Sequence, residues 1–349
     1  DIAALTTAQI SKLTMEQVPS LTTAQVAAIE TADLVQLTNS QIESISTAGI
    51  AALSTDQVKV ITTSQIKALT AAQITALTTD VAVVNTDQLR LLNDEQVAAI
   101  TTAGIAALTT AQVSNLKATQ VSAMTTAQIA VLETADLAKL STSHIQALST
   151  GAIASLTADQ FKSLTTDQLN TLTTGQVKVL TTAQLVALTT EQVSGLSAGA
   201  VSALSTAQLS AVATDDFAVL STAAVAAMTT AQMSTLTTAQ VVALSEDQTS
   251  VLTTAQVKAL TTAQISAFET ADLAKLGTSH IQALSTGAIA HLTADQFKSL
   301  STDQLNALTT GQVKGLTTAQ LVALTTDQVS GLAASTVSAL TAAQVAAVE

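Results

Sequence analysis

The chain has 349 residues with a net charge of −13, and it contains no Cys, Trp or Tyr. Disulfides and thiolate metal sites are excluded, and Thr, Ser and Gln interrupt every apolar run well short of the roughly 20 residues that cross a bilayer. The few Lys and Arg are spread singly, so the clustered cations that hold phosphates and the aromatic platforms that stack bases are both missing; nucleic acid is not an expected partner.

Length alone suggests two or three globular domains, but an eight-residue repeat overrides that prior and makes length a copy number. Its clearest form is Leu252-Thr253-Thr254-Ala255-Gln256-Val257-Lys258-Ala259, followed at once by Leu260. We label the slots a to h, with Leu at a, Thr at b and c, Ala at d, Gln at e and Val or Ile at f.

Slots b and e read Thr-x-x-Gln, the reciprocal capping pattern of a helix start. Slots c to h supply mostly good helix formers. Acids favour d, as in Asp56, Asp167 and Asp327, and bases favour g, as in Lys59, Arg90 and Lys258, which suits the two ends of a helix dipole. Each octad is therefore predicted to be one short capped helix. One unbroken helix fails, because eight residues leave the apolar slots about 80° out of phase per repeat. A flat strand fails because a and f have opposite parity. A β-solenoid remains as the alternative, without its usual corner glycines.

In chain order, Asp1 occupies e and Ile2 f, and the register runs strictly from Leu5 to Leu77. Pro19, at g, removes an N–H and predicts a shortened or 3₁₀-like copy. After Leu77 the run Thr78-Thr79-Asp80-Val81 lacks its Gln, and the next anchor, Val84, comes one residue early. This slip, within 78–84, reads as a kink, a subdomain seam or a neutral deletion, of which deletion is favoured. From Leu92 the register continues to Val348, with Glu349 in b. Residues 133–212 recur at 269–348, an offset of 136 residues or 17 octads. Residues 1–349 are thus expected to form a single continuous array. No polar capping unit is visible at either end, so we expect a window of a longer array, or a subunit whose ends meet other copies. A lone octad buries too little apolar surface to offset its ordering entropy, so stacking is required for order.

Candidate site residues are few. His144 and His280 replace Gln at e and His291 lies at h, none with a second ligand one turn away as a metal site needs. The acid pairs Asp94–Glu95, Asp215–Asp216 and Glu246–Asp247 sit at helix starts, where solvated charge is expected. Leu-Ser-Thr-Gly-Ala at Leu148 and Leu284 carries single glycines and no phosphate-binding pattern. Phe161, Phe217, Phe268 and Phe297 occupy a or f and read as core. Abundant Ser and Thr lack the converging base of an activated nucleophile. We therefore expect no catalytic, cofactor-binding or metal residues, no cofactor and no enzyme. The recurrent Thr pairs read as caps at b and as partly exposed ladders at c, which could present hydroxyls to ice, a glycan coat or another ordered surface.

The phrase Leu-Thr-x-x-Gln-Val or -Ile followed by Ala-Leu, tiled without spacers over nearly all of the chain, resembles octapeptide arrays of very large secreted or surface-attached bacterial proteins of adhesin or fibre type. That resemblance implies an extracellular or cell-surface location and a structural or adhesive role through self-association. The helix start is also similar to that of TAL-effector repeats, which open Leu-Thr-Pro-x-Gln-Val; their base-reading residues are missing here, so DNA recognition is not implied. The Gly-Gly-x-Gly-x-Asp repeats that bind calcium in secreted adhesins are missing too.

Overall fold

The computed structural model describes residues 2–347. Asp1, Val348 and Glu349, where the sequence register starts and stops, lie outside them. The described chain is all-helical, a run of short α-helices with three 3₁₀ segments, and it contains no strand. The β-solenoid alternative is ruled out for these residues, and the α-solenoid expectation holds.

Each octad folds as its sequence predicts. In the octad of Leu252, Thr253 is an extended N-cap at φ −80° and ψ 155°, residues Thr254–Ala259 are helical, and Leu260 is extended again at φ −64° and ψ 137°. In this octad two extended residues, at a and b, thus separate one helix from the next and turn the chain. The Leu260 N–H still bonds the Val257 carbonyl at 3.2 Å, which closes the helix end. The octad that carries Pro19 is reduced to the 3₁₀ segment Val18–Ser20, as the missing N–H requires.

Two compact units are present, Asp1–Val179 and Leu180–Glu349, and both are built alike. Each helix packs on the third helix along the chain, as Asn39–Ser44 packs on Thr63–Ala68 in the first unit and Thr230–Thr235 on Thr254–Ala259 in the second. Anchors at a and f point inward: Ile61, Ile66, Val257 and Leu252 are all buried. The four Phe are buried as well. Val329, Val337 and Val345, in f slots of the last described octads, are exposed.

The register slip has its own local geometry. What is lost between Thr79 and Val81 is slot e itself, and residues Thr78–Val83 form a 3₁₀ segment. Thr78 takes φ 49°, a left-handed conformation that Thr adopts only under constraint. Three octads later the e slot is Gly104, where an added Cβ would lie 2.6 Å from the Thr78 carbonyl oxygen. Glycine there accommodates the redirected backbone. The boundary between the two units lies elsewhere, after Val179, so the slip is not their seam.

A glutamine ladder as the candidate functional site

The cap at each helix start is reciprocal. The Thr253 hydroxyl accepts from the Gln256 N–H at 3.2 Å, and Gln256 Oε1 accepts from the Thr253 N–H at 2.7 Å. The amide nitrogen of the same side chain then leaves its own octad. Gln256 Nε2 donates to the carbonyls of Val225, Ala226 and Met228 at 2.9, 3.2 and 2.8 Å. These are carbonyls at the end of an earlier helix, where intrahelical donors run out; that of Val225 also accepts from the Met228 N–H at 3.2 Å. One buried side chain therefore caps the start of its own helix and the end of a helix one turn back.

The same contact recurs in both units with a fixed offset. Gln65 reaches Leu34 and Leu37, and Gln176 reaches Ile145 and Leu148, in each case 31 and 28 residues back. Gln304 and Gln344 do the same in the second unit. Only across the slip does the offset change: Gln88 bonds Ile61 and Gln96 bonds Leu69, both 27 residues back, before Gln112 restores 28 at Val84. The ladder follows the spatial turn, not the residue count.

The capping half of this role was legible in the sequence, and the bridging half was missed. A signal for it was present. A capping box accepts Glu as readily as Gln, yet Glu stands at no e slot of this chain. Glu could close the cap but has no hydrogen to offer the carbonyls behind it.

Substitutions at e show what the slot demands. His144 copies both functions: its Nδ1 accepts from the Ser141 N–H at 3.1 Å, so Nε2 carries the proton and meets the Leu116 carbonyl at 2.8 Å, again 28 residues back. His280 accepts from the Gly277 N–H at 3.0 Å and engages the Leu252 carbonyl; burial holds its pKa below the ordinary histidine value. His291 lies outside the ladder, its Nδ1 bonded to the carbonyl of Gly287 at 2.7 Å.

Asp33, Asp136 and Asp272 also stand at e, each three residues after a Glu at b. Asp136 keeps the cap, accepting from the Glu133 N–H at 3.1 Å. Asp272 is 3% exposed. Its burial and the nearby Glu269 and Glu246 carboxylates push its pKa up to about 6, against the opposing pull of the Glu269 N–H and the Thr249 hydroxyl. Thr249 fills an f slot that elsewhere holds an aliphatic residue. Its fully buried hydroxyl stands within electrostatic reach of Asp272 without closing a well-formed hydrogen bond.

The acid pairs stay at helix starts, as expected, but two of them also link turns. Asp216 accepts from the Thr190 hydroxyl at 2.9 Å, and Glu246 pairs with Lys275 at 3.1 Å across an exposed surface. Asp94 and Glu95 open the helix Asp94–Ala98. Gly151 and Gly287 lie in the first turns of Thr150–Ser155 and Thr286–Ala290 and cradle nothing. Among the described residues no three His, Asp or Glu side chains converge as metal ligands would, and no helix is long and apolar enough to cross a membrane. Threonines at c are exposed at places such as Thr23, Thr134 and Thr270 and half-buried at others such as Thr110, Thr166 and Thr302.

This arrangement supports a repeat protein with a structural or binding role. No curated protein matches the chain. The model of the ALTTAQ repeat matches nine stretches, residues 1–28, 26–63, 51–79, 97–133, 129–166, 162–198, 210–246, 265–302 and 299–334. Those stretches cover most of the sequence, and the chain belongs to the ALTTAQ repeat family.

Proposed function

We propose that the array is a non-catalytic structural element that builds a fibre, stalk or sheath outside the cell by stacking and self-association. The carrying observation is the glutamine bridge. Every e-slot amide that joins one turn to the turn before it makes order depend on stacking, so copy number sets extent without any new chemistry. Low charge and small side chains on the outer slots suit lateral packing with little electrostatic opposition. Electron microscopy of the purified natural protein should show filaments or rods of constant width. Compact, dispersed particles would overturn the proposal.

The exposed threonines at c favour one second reading, a repetitive binding face for another protein, a glycan coat or ice. Under that reading affinity rises with octad number and is lost when c-slot Thr is replaced by Ala while circular dichroism stays helical. Binding that survives those replacements would count against it.

A further inference from the structure

The two histidines of the ladder are copies of one octad, and the residue that each one caps differs between them. In both, Nδ1 accepts a backbone N–H, from Ser141 or from Gly277. Nδ1 of an imidazolium is a donor and can no longer accept, so protonation sets two donors face to face and breaks the cap. At His144 a substitute is in place: the Ser141 hydroxyl oxygen lies 3.1 Å from Nδ1 and can take the new proton. At His280 the corresponding residue is glycine, which has no side-chain oxygen.

The charged groups on the surrounding helices do not remove this asymmetry. The helices packed on His144, Ala118–Ala123 and Thr166–Asn170, carry Lys117 at the N-cap and Asp167. Those packed on His280, Thr254–Ala259 and Thr302–Asn306, carry Lys258 and Asp303. The preceding octads bring Glu133, Asp136 and Lys139 to the first site and Glu269, Asp272 and Lys275 to the second. In neither site does one of these side chains hydrogen-bond Nδ1, which faces the backbone N–H.

We infer that the octad Gly277–Leu284 is an acid-opened joint in the array, and that its copy Ser141–Leu148 is the same joint held shut by a serine. Mild acid uncaps the start of the helix Thr278–Ala283, leaving only the Nε2 bond to the Leu252 carbonyl, while the helix Thr142–Ala147 stays capped. Self-association proposed for the array would gain a local, pH-set point of release, but the joint itself does not depend on that proposal.

Hydrogen exchange read by mass spectrometry at pH 7.5 and pH 5, corrected for intrinsic rates, tests this on the full chain. Protection of peptides covering 277–284 should fall about tenfold more than that of peptides covering 141–148. His280→Gln, which restores the prevailing residue, should abolish the fall. Gly277→Ser should blunt it, and Ser141→Gly should create it in the first copy. Equal behaviour of the two wild-type octads, or a fall that persists in His280→Gln, would overturn the inference.

Discussion

Residues 133–140 and 269–276 make up nearly the same octad, Glu-Thr-Ala-Asp-Leu-Ala-Lys-Leu followed by a single Ser-to-Gly change, but they do not behave alike. In the first copy Asp136 closes a cap on Glu133. In the second, Asp272 keeps the bond from the Glu269 N–H, but its burial and the Glu269 and Glu246 carboxylates raise its pKa to about 6. The source of the difference lies three octads back. Where Glu246 and Thr249 underlie the second copy, Thr110 and Val113 underlie the first, at the same offsets of 26 and 23 residues. An octad's electrostatics are set by the turn beneath it, even when its own letters are unchanged.

The comparison can be broken where it predicts equality. Phe161 and Phe297 are fully buried f residues in matching places, so Phe161→Ala and Phe297→Ala should each cost about 3–5 kcal/mol, as seen in the urea dependence of local exchange. A marked inequality would mean that the two cores differ more than their packing shows. Gln168 and Gln304 bridge to Leu137 and Leu140 and to Leu273 and Leu276. Truncation of either to Ala removes the side-chain donor from the buried Leu140 or Leu276 carbonyl and should cost about 1–3 kcal/mol, with exchange accelerated in the helix below as well as in its own. Acceleration confined to the mutated octad would refute the bridging role.

The comparison sharpens where it predicts a difference. The folded state holds the Asp272 proton more tightly than the unfolded state does, so its contribution is present below about pH 4 and is lost as pH rises to about 6. Asp272→Asn should therefore flatten stability across that window and raise stability above it. Urea midpoints between pH 4 and pH 7 check both effects. His280 has the opposite sign: its lowered pKa makes stability fall as pH drops below the ordinary histidine range. The smallest effect belongs to Gly151 and Gly287. An added Cβ at either meets only ordinary contacts, so substitution by Ala should stabilise each copy by about 0.5–1 kcal/mol through helix propensity. The same change at Gly104 should destabilise, because there the Cβ meets backbone.

Much of the fold was legible. Thr253 and Gln256 announce a helix start, Leu252 and Val257 announce the inward face, and Pro19 announces a 3₁₀ copy, because each of those effects acts within a few residues. The candidate site was half legible. Gln at e was readable as a cap, whereas its second bond goes to carbonyls 28 and 31 residues away, and nothing local specifies that distance. His144 and His280 looked incidental for the same reason: their Gln-like role appears only when the turn below is in place.

What the sequence determined by itself is the octad register, one hydroxyl-capped helix per repeat, and a and f as core, since capping and apolar periodicity are short-range properties. Tertiary structure decided which octads meet, how the missing e slot at Thr79–Val81 is absorbed by Gly104, and why Asp272 departs from Asp136. Those outcomes depend on how helices three apart along the chain pack on one another.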